Sequence, residues 1–167
     1  AEGSAPRGSA PVGSRPARAI PARIASSRAP VCRDAAAIRG LTIARSRFYL
    51  PENERFGLAG VIAIRRPALA RAIVRDVCGL PVMPRRTVRC AADNDVTYWL
   101  MFAAGHRAYP PVVIRPTGCE AVQGLGATRW IVPVPRFWYR LGSALARAYP
   151  GLAASGHLGR AEFSGAR

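Results

Sequence analysis

Four cysteines, Cys32, Cys78, Cys90 and Cys119, have the widest choice of chemistry in this chain of 167 residues. A thiol can close a disulfide, ligate a metal or attack an electrophile, and spacing discriminates between these roles. Zinc sites take their ligands from close pairs such as CxxC. Here 45, 11 and 28 residues separate successive cysteines, and His106 and His157 are the only histidines. A nucleophilic cysteine needs a base and a group to orient that base. His106 is conceivable beside Cys119 on adjoining strands, but no third group is evident. Disulfides are the reading that the isolated positions favour, with three pairings open to four cysteines. Buried reduced thiols in a cytosolic protein are the competing reading.

Other residue patterns carry less chemistry. Asp93 and Asp95 in AADNDV begin like a calcium loop, but the glycine and distant glutamate that complete one are missing, which leaves a polar turn. Glu52 and Glu54 in PENERFG are paired carboxylates on a loop, with no apolar pocket implied to split their pKa values. The chain has no GxSxG, no GxxxxGK[ST] and no HExxH. No catalytic, metal-binding or cofactor-binding residue is assigned.

The elements that must position the cysteines begin after a segment rich in Gly, Ser, Pro, Ala and Arg. Residues 1–30 cannot offset the entropy of ordering and are expected to form a disordered tether. A strand is expected around VCRD, and another in LTIARSRFYL, residues 41–50, with Leu41, Ile43 and Phe48 inward. RPALARAIVRDVCG reads as a helix: Pro67 suits its first turn, Leu69, Ile73 and Val77 recur every four residues, Arg71 and Arg75 face outward, and Gly79 and Pro81 end it.

TVRC then leads into TYWLMFA, a turn falls near Gly105, PVVIR returns, and CEAV extends it past a bend at Thr117 and Gly118. Apolar residues on both faces of TYWLMFA predict a central strand covered on both sides, with Trp99 in the core. A last helix over residues 136–149 sets Phe137, Leu141, Leu145 and Tyr149 in an apolar stripe and Arg136, Arg140 and Arg147 in a basic one. The apolar stripe either packs on the sheet or lies on an anionic membrane with Trp138 and Tyr139 at the interface. Residues 151–167 read as a flexible tail.

On this frame Cys90 and Cys119 lie at the outer ends of two strands that a hairpin would bring side by side, and register favours a bridge between them. Closing such a loop contributes on the order of 3 to 4 kcal/mol through loop entropy. Cys78, at the end of the helix, then pairs with Cys32 at the start of the fold.

Charge is the other unusual property. The chain carries 25 basic and 9 acidic residues, formally +16, and every basic residue is arginine. Such an excess favours anionic partners. It is spread along the chain: +4 in residues 1–30, +8 in 31–89 and +4 in 90–167. Specific nucleic-acid recognition more often concentrates charge on one helix among stacking aromatics, so it is disfavoured. The longest suggestive apolar piece, GLAGVIAI at residues 57–64, is too short to span a bilayer. The chain begins at Ala1, which fits removal of a signal peptide or an incomplete chain.

The order of motifs, a helix followed by GLP, then CAADNDVTYWLMF, VVIRPTGCEAV and an arginine before a final helix, resembles small secreted or lipoprotein-like proteins of high-GC Gram-positive bacteria. The resemblance covers roughly residues 66–131 and rests on the C-x-A-D element, the aromatic strand and the later G-C. It implies extracytoplasmic export and a Cys90 to Cys119 bridge, and no activity. Cys78 stands at a helix-end position that need not be cysteine in that group.

The expected fold is α+β: an antiparallel sheet of four to six strands, one helix packed on a face and a C-terminal amphipathic helix, in a single domain over residues 31–150. The leading functional expectation is a secreted or surface-tethered, disulfide-stabilised, non-catalytic binding or structural domain with an anionic partner, an anionic surface or protein. Arg136, Arg140, Arg147 and an exposed Trp130 are its candidate contacts. A secreted protease inhibitor using RPTGCEAV is the alternative, as is nucleic-acid binding if the cysteines are reduced. An enzyme using His106 ranks third.

Overall fold

The structure, a computed structural model, describes residues 29–45, 61–85, 89–90, 92–93 and 97–149. The expected tether up to residue 28, Phe48, the two loop glutamates and the tail after Tyr149 lie outside the described residues.

The fold is α+β, with seven strands in one antiparallel sheet and helices on one face. In chain order the elements are α1 (Pro30–Arg33), a 3-10 turn (Ala35–Ala37), β1 (Gly40–Arg45), β2 (Val61–Ile64), α2 (Pro67–Cys78), β3 (Tyr98–Ala104), β4 (Arg107–Ala108), β5 (Val112–Ile114), β6 (Ala121–Gln123), β7 (Arg129–Trp130) and α3 (Arg136–Ala148). The sheet runs β2-β1-β3-β5-β6-β7, and short β4 pairs with β3. β2 and β3 are both antiparallel to β1 and so run parallel to each other. Parallel strands need a crossover, and α2 supplies it.

Alternation sorts the sheet into two faces. Leu41 and Ile43, Ile62 and Ile64, Tyr98, Leu100 and Phe102, Val112 and Ile114, and Val122 all point inward and are buried. Against them pack Ala70, Ile73, Val74 and Val77 of α2 and Phe137, Trp138, Leu141, Ala144 and Leu145 of α3. Both sets follow helical spacing, and each fully buried large apolar side chain contributes roughly 1.5 to 3 kcal/mol. Pro67 opens α2 and Gly79 closes it, its N–H donating to Arg75 O at 2.9 Å.

Several expectations need correction. VCRD is helical: Pro30 presets the first turn, and the Cys32 and Arg33 amides donate to Ala29 O at 3.0 and 3.2 Å. CEAV does not extend β5; Gly118 (φ +66°) and Glu120 (φ +48°) reverse the chain, and β6 returns antiparallel with Val122 opposite Ile114. Arg89 and Cys90 lie outside any strand, so TVRC does not run into β3 as one. β3 is central in the sheet but covered on one face: Met101 is exposed and Trp99 is half-buried on the outer face, not in the core. The helices occupy only the opposite side.

Both sheet margins are occupied. Trp130 N donates to Pro81 O and Met83 N to Thr128 O, each at 2.9 Å, so residues 81–83 run along β7. At the β2 margin the Tyr149 hydroxyl accepts from Ala63 N–H at 3.0 Å and donates to the Ala63 carbonyl.

Candidate functional site

All four cysteines are oxidised. Cys32 pairs with Cys78, Cα atoms 5.7 Å apart, and fastens α1 to the end of α2. Cys90 pairs with Cys119, Cα atoms 4.8 Å apart, and ties the segment before β3 to the turn between β5 and β6. With its sulfur bonded to Cys90, Cys119 is not a free thiol beside His106. Among the described residues no group of three or more His, Cys, Asp or Glu could hold a metal.

The turn carrying Cys119 is clamped from several sides. Asp93 accepts from Thr117 Oγ1 at 2.8 Å and lies 3.8 Å from Arg115 Nη1. Glu120 O accepts from Ile131 N–H at 3.1 Å, while Glu120 Oε2 accepts from the indole of Trp138 at 2.9 Å, tying the turn to α3. Glu120 sits in the left-handed region, which a side chain rarely adopts; the two bonds hold it there. Pro116 is buried and residues 117–120 are half-buried, so the turn within RPTGCEAV packs against the body while Arg115 stays exposed.

At the opposite end, Asp34 Oδ2 accepts from the Tyr109 hydroxyl and pairs with Arg107 Nη1, both at 2.9 Å; the Arg107 guanidinium stacks 4.9 Å from the Tyr109 ring centre. Burial first, then the Asp34 hydrogen bond, push the Tyr109 phenol above its usual range, with Arg107 pulling the other way.

The basic stripe falls on the helical layer. Arg136, Arg140 and Arg147 are exposed along one flank of α3. Arg140 Nη1 lies 2.8 Å from Asp76 Oδ1 of α2, and Arg66 Nη1 donates to Arg147 O at 3.4 Å. The start of α2 thus meets the end of α3 and the helices run antiparallel, with the stripe along their seam. Arg65 and Arg66 lead into α2, Arg71 and Arg75 stand on it, and Asp76 is the one acid on α2 and α3.

The stripe and Trp130 do not come together. Trp130 sits opposite Ala121, on the outer face of the sheet, half-buried rather than exposed, with its indole N–H shielded and without a partner among the described residues. Trp138 is buried, so α3 keeps its apolar face for the core and has none left for a bilayer. Tyr139 remains exposed.

Arg129 is a feature that the sequence did not single out. It is buried on the inner face with Nη1 donating to Leu80 O at 2.8 Å and Nε unpaired among the described residues, and burial pushes its guanidinium below the usual arginine range. Its neighbours in ATRWIVPVP give no sign of this, because the burial follows from strand parity: Arg129 faces the same way as Val122.

No protein family, curated protein or solved structure matches the chain.

Proposed function

We propose that this chain is a secreted or surface-tethered, disulfide-stabilised, non-catalytic binding domain whose partner is anionic. Helices α2 and α3, with the two residues leading into α2, carry the reading: seven arginines, at positions 65, 66, 71, 75, 136, 140 and 147, stand against the single carboxylate of Asp76. Arg136 and Arg140 are about 6 Å apart along the helix axis. That is less than a Debye length of about 8 Å at physiological salt, so their fields act together on a partner. The Cys32 to Cys78 bridge anchors the end of α2, and the two disulfides fit an oxidising compartment. No helix of the described residues is long and apolar enough to cross a membrane.

Two measurements test the reading. Protein isolated from its native source, alkylated with and without prior reduction, is expected to expose thiols only after reduction; free thiols would remove the extracytoplasmic part. Retention on an anionic matrix is expected to fall steeply with salt and to be absent on a neutral one. Equal retention on both would remove the anionic partner.

A further inference from the structure

Resting on the reading of an anionic partner, we propose that the seam between α2 and α3 binds a linear phosphate polymer lacking nucleobases. The seam is a line: from Arg136 to Arg147 it extends about 16 Å at 1.5 Å per residue. The antiparallel packing brings Arg65 and Arg66 to the Arg147 end. Asp76 neutralises the middle through Arg140, while Arg65, Arg136 and Arg147 have no acidic partner among the described residues. A flexible polyanion laid lengthwise meets cationic groups at both ends. Guanidinium forks suit phosphate oxygens, taking two at once.

The apolar inventory decides against the two competing occupants. A bilayer contact draws strength from apolar side chains inserted below the headgroups. Here Phe137, Trp138, Leu141 and Leu145 are buried in the core, and Tyr139 is the one large apolar side chain exposed on either helix. Single-stranded nucleic acid is held by successive aromatic platforms as well as by charge. Tyr139 alone offers no such series.

The test uses the full oxidised chain and long-chain inorganic polyphosphate as the probe, with affinity measured across a salt series by titration calorimetry. Replacing the seam arginines together (Arg136→Gln, Arg140→Gln, Arg147→Gln) is expected to weaken binding at least about tenfold and to lower the slope of log affinity against log salt by about 2, at roughly 0.7 per lost contact. A charge-matched control away from the helices (Arg39→Gln, Arg85→Gln, Arg89→Gln) is expected to change affinity less than about twofold at the same loss of net charge. Circular dichroism and the denaturation midpoint verify folding in both. Equal loss in the control would overturn the seam while leaving an anionic partner in place. Tighter binding to anionic vesicles or to single-stranded DNA than to polyphosphate, reversed by the seam substitutions, would overturn the polymer class. Failure to bind any of these probes would remove the anionic reading itself.

Discussion

The phenol of Tyr149 closes a pair of hydrogen bonds with the backbone of Ala63, accepting from its N–H and donating to its carbonyl across 86 residues of sequence. Ile62 and Ile64 face the core and pair with Ile43 and Leu41 on β1, while Ala63 lies at the open margin of the sheet. An uncovered margin of this kind is a template for another strand. One side chain at the end of α3 occupies it.

Tyr149→Phe keeps the ring and removes both bonds. The expected cost is about 1 kcal/mol, because water replaces part of what is lost at an exposed site. The exposed margin should also raise concentration-dependent association. Urea denaturation and sedimentation velocity read the two effects separately, and an unchanged midpoint would show that the hydroxyl has no structural role.

The two bridges should open in order. Cys90 is exposed, whereas Cys32 and Cys78 are both half-buried. Mild reductant is therefore expected to label Cys90 and Cys119 first and Cys32 and Cys78 only later. Mass mapping of timed alkylation decides this, and simultaneous labelling would contradict it. Loop separations of 29 and 46 residues predict that losing either bridge costs roughly 3 to 4 kcal/mol.

Alkaline pH should loosen the contact between Asp34 and Tyr109. An unfolded tyrosine loses its proton near 10.0, and Tyr109 in the folded protein does so at higher pH. Between those values the unfolded chain binds fewer protons, so stability falls as pH rises. The contribution is whole below about pH 10 and disappears as pH climbs through the folded value. Denaturation midpoints at about pH 9 and pH 11 should differ more for the native chain than for Tyr109→Phe. Identical pH dependence in both would exclude Tyr109 as the group responsible.

Arg129 should tolerate loss of charge better than loss of bulk. Arg129→Met removes a costly buried cation along with the bond to Leu80 O, and these effects oppose each other. Arg129→Ala adds a cavity and should be less stable than the methionine variant by about 2 kcal/mol. Equal midpoints for the two variants would mean that the arginine stem packs against nothing of consequence.

How much of this was legible depended on the distance over which each signal acts. α2 could be read because Pro67, the recurring Ile73 and Val77, and Gly79 all lie within one short window, and α3 for the same reason. β2 went unread: VIAI alternates over only four residues, in a stretch that drew notice for its hydrophobicity and not for its period. The reversal at Glu120 escaped because a left-handed glutamate has no local signature; its hydrogen bonds to Ile131 and Trp138 hold it from elsewhere. The Cys90 to Cys119 pairing is found although its premise is not, since Cys90 lies outside any strand and Cys119 in a turn, and Cys32 to Cys78 was the pairing that remained. The basic stripe was visible as helical spacing, but its neighbour on α2 was not, and neither was the separation of Trp130 onto the other face.

The Cys32 to Cys78 bridge also decides how the molecule bears mechanical load. Tension entering from the N-terminal side meets a covalent staple three residues after Ala29 and passes straight to Cys78. Residues 33–77, which include β1, β2 and nearly all of α2, lie inside that loop and cannot be drawn out while the bond holds. With about 3.4 Å of contour per residue, the two bridges withhold about 160 Å and about 100 Å of chain from extension. A pulled molecule would lengthen by that much less than its reduced form, so the reach of the domain under load is set by the redox state of four sulfur atoms.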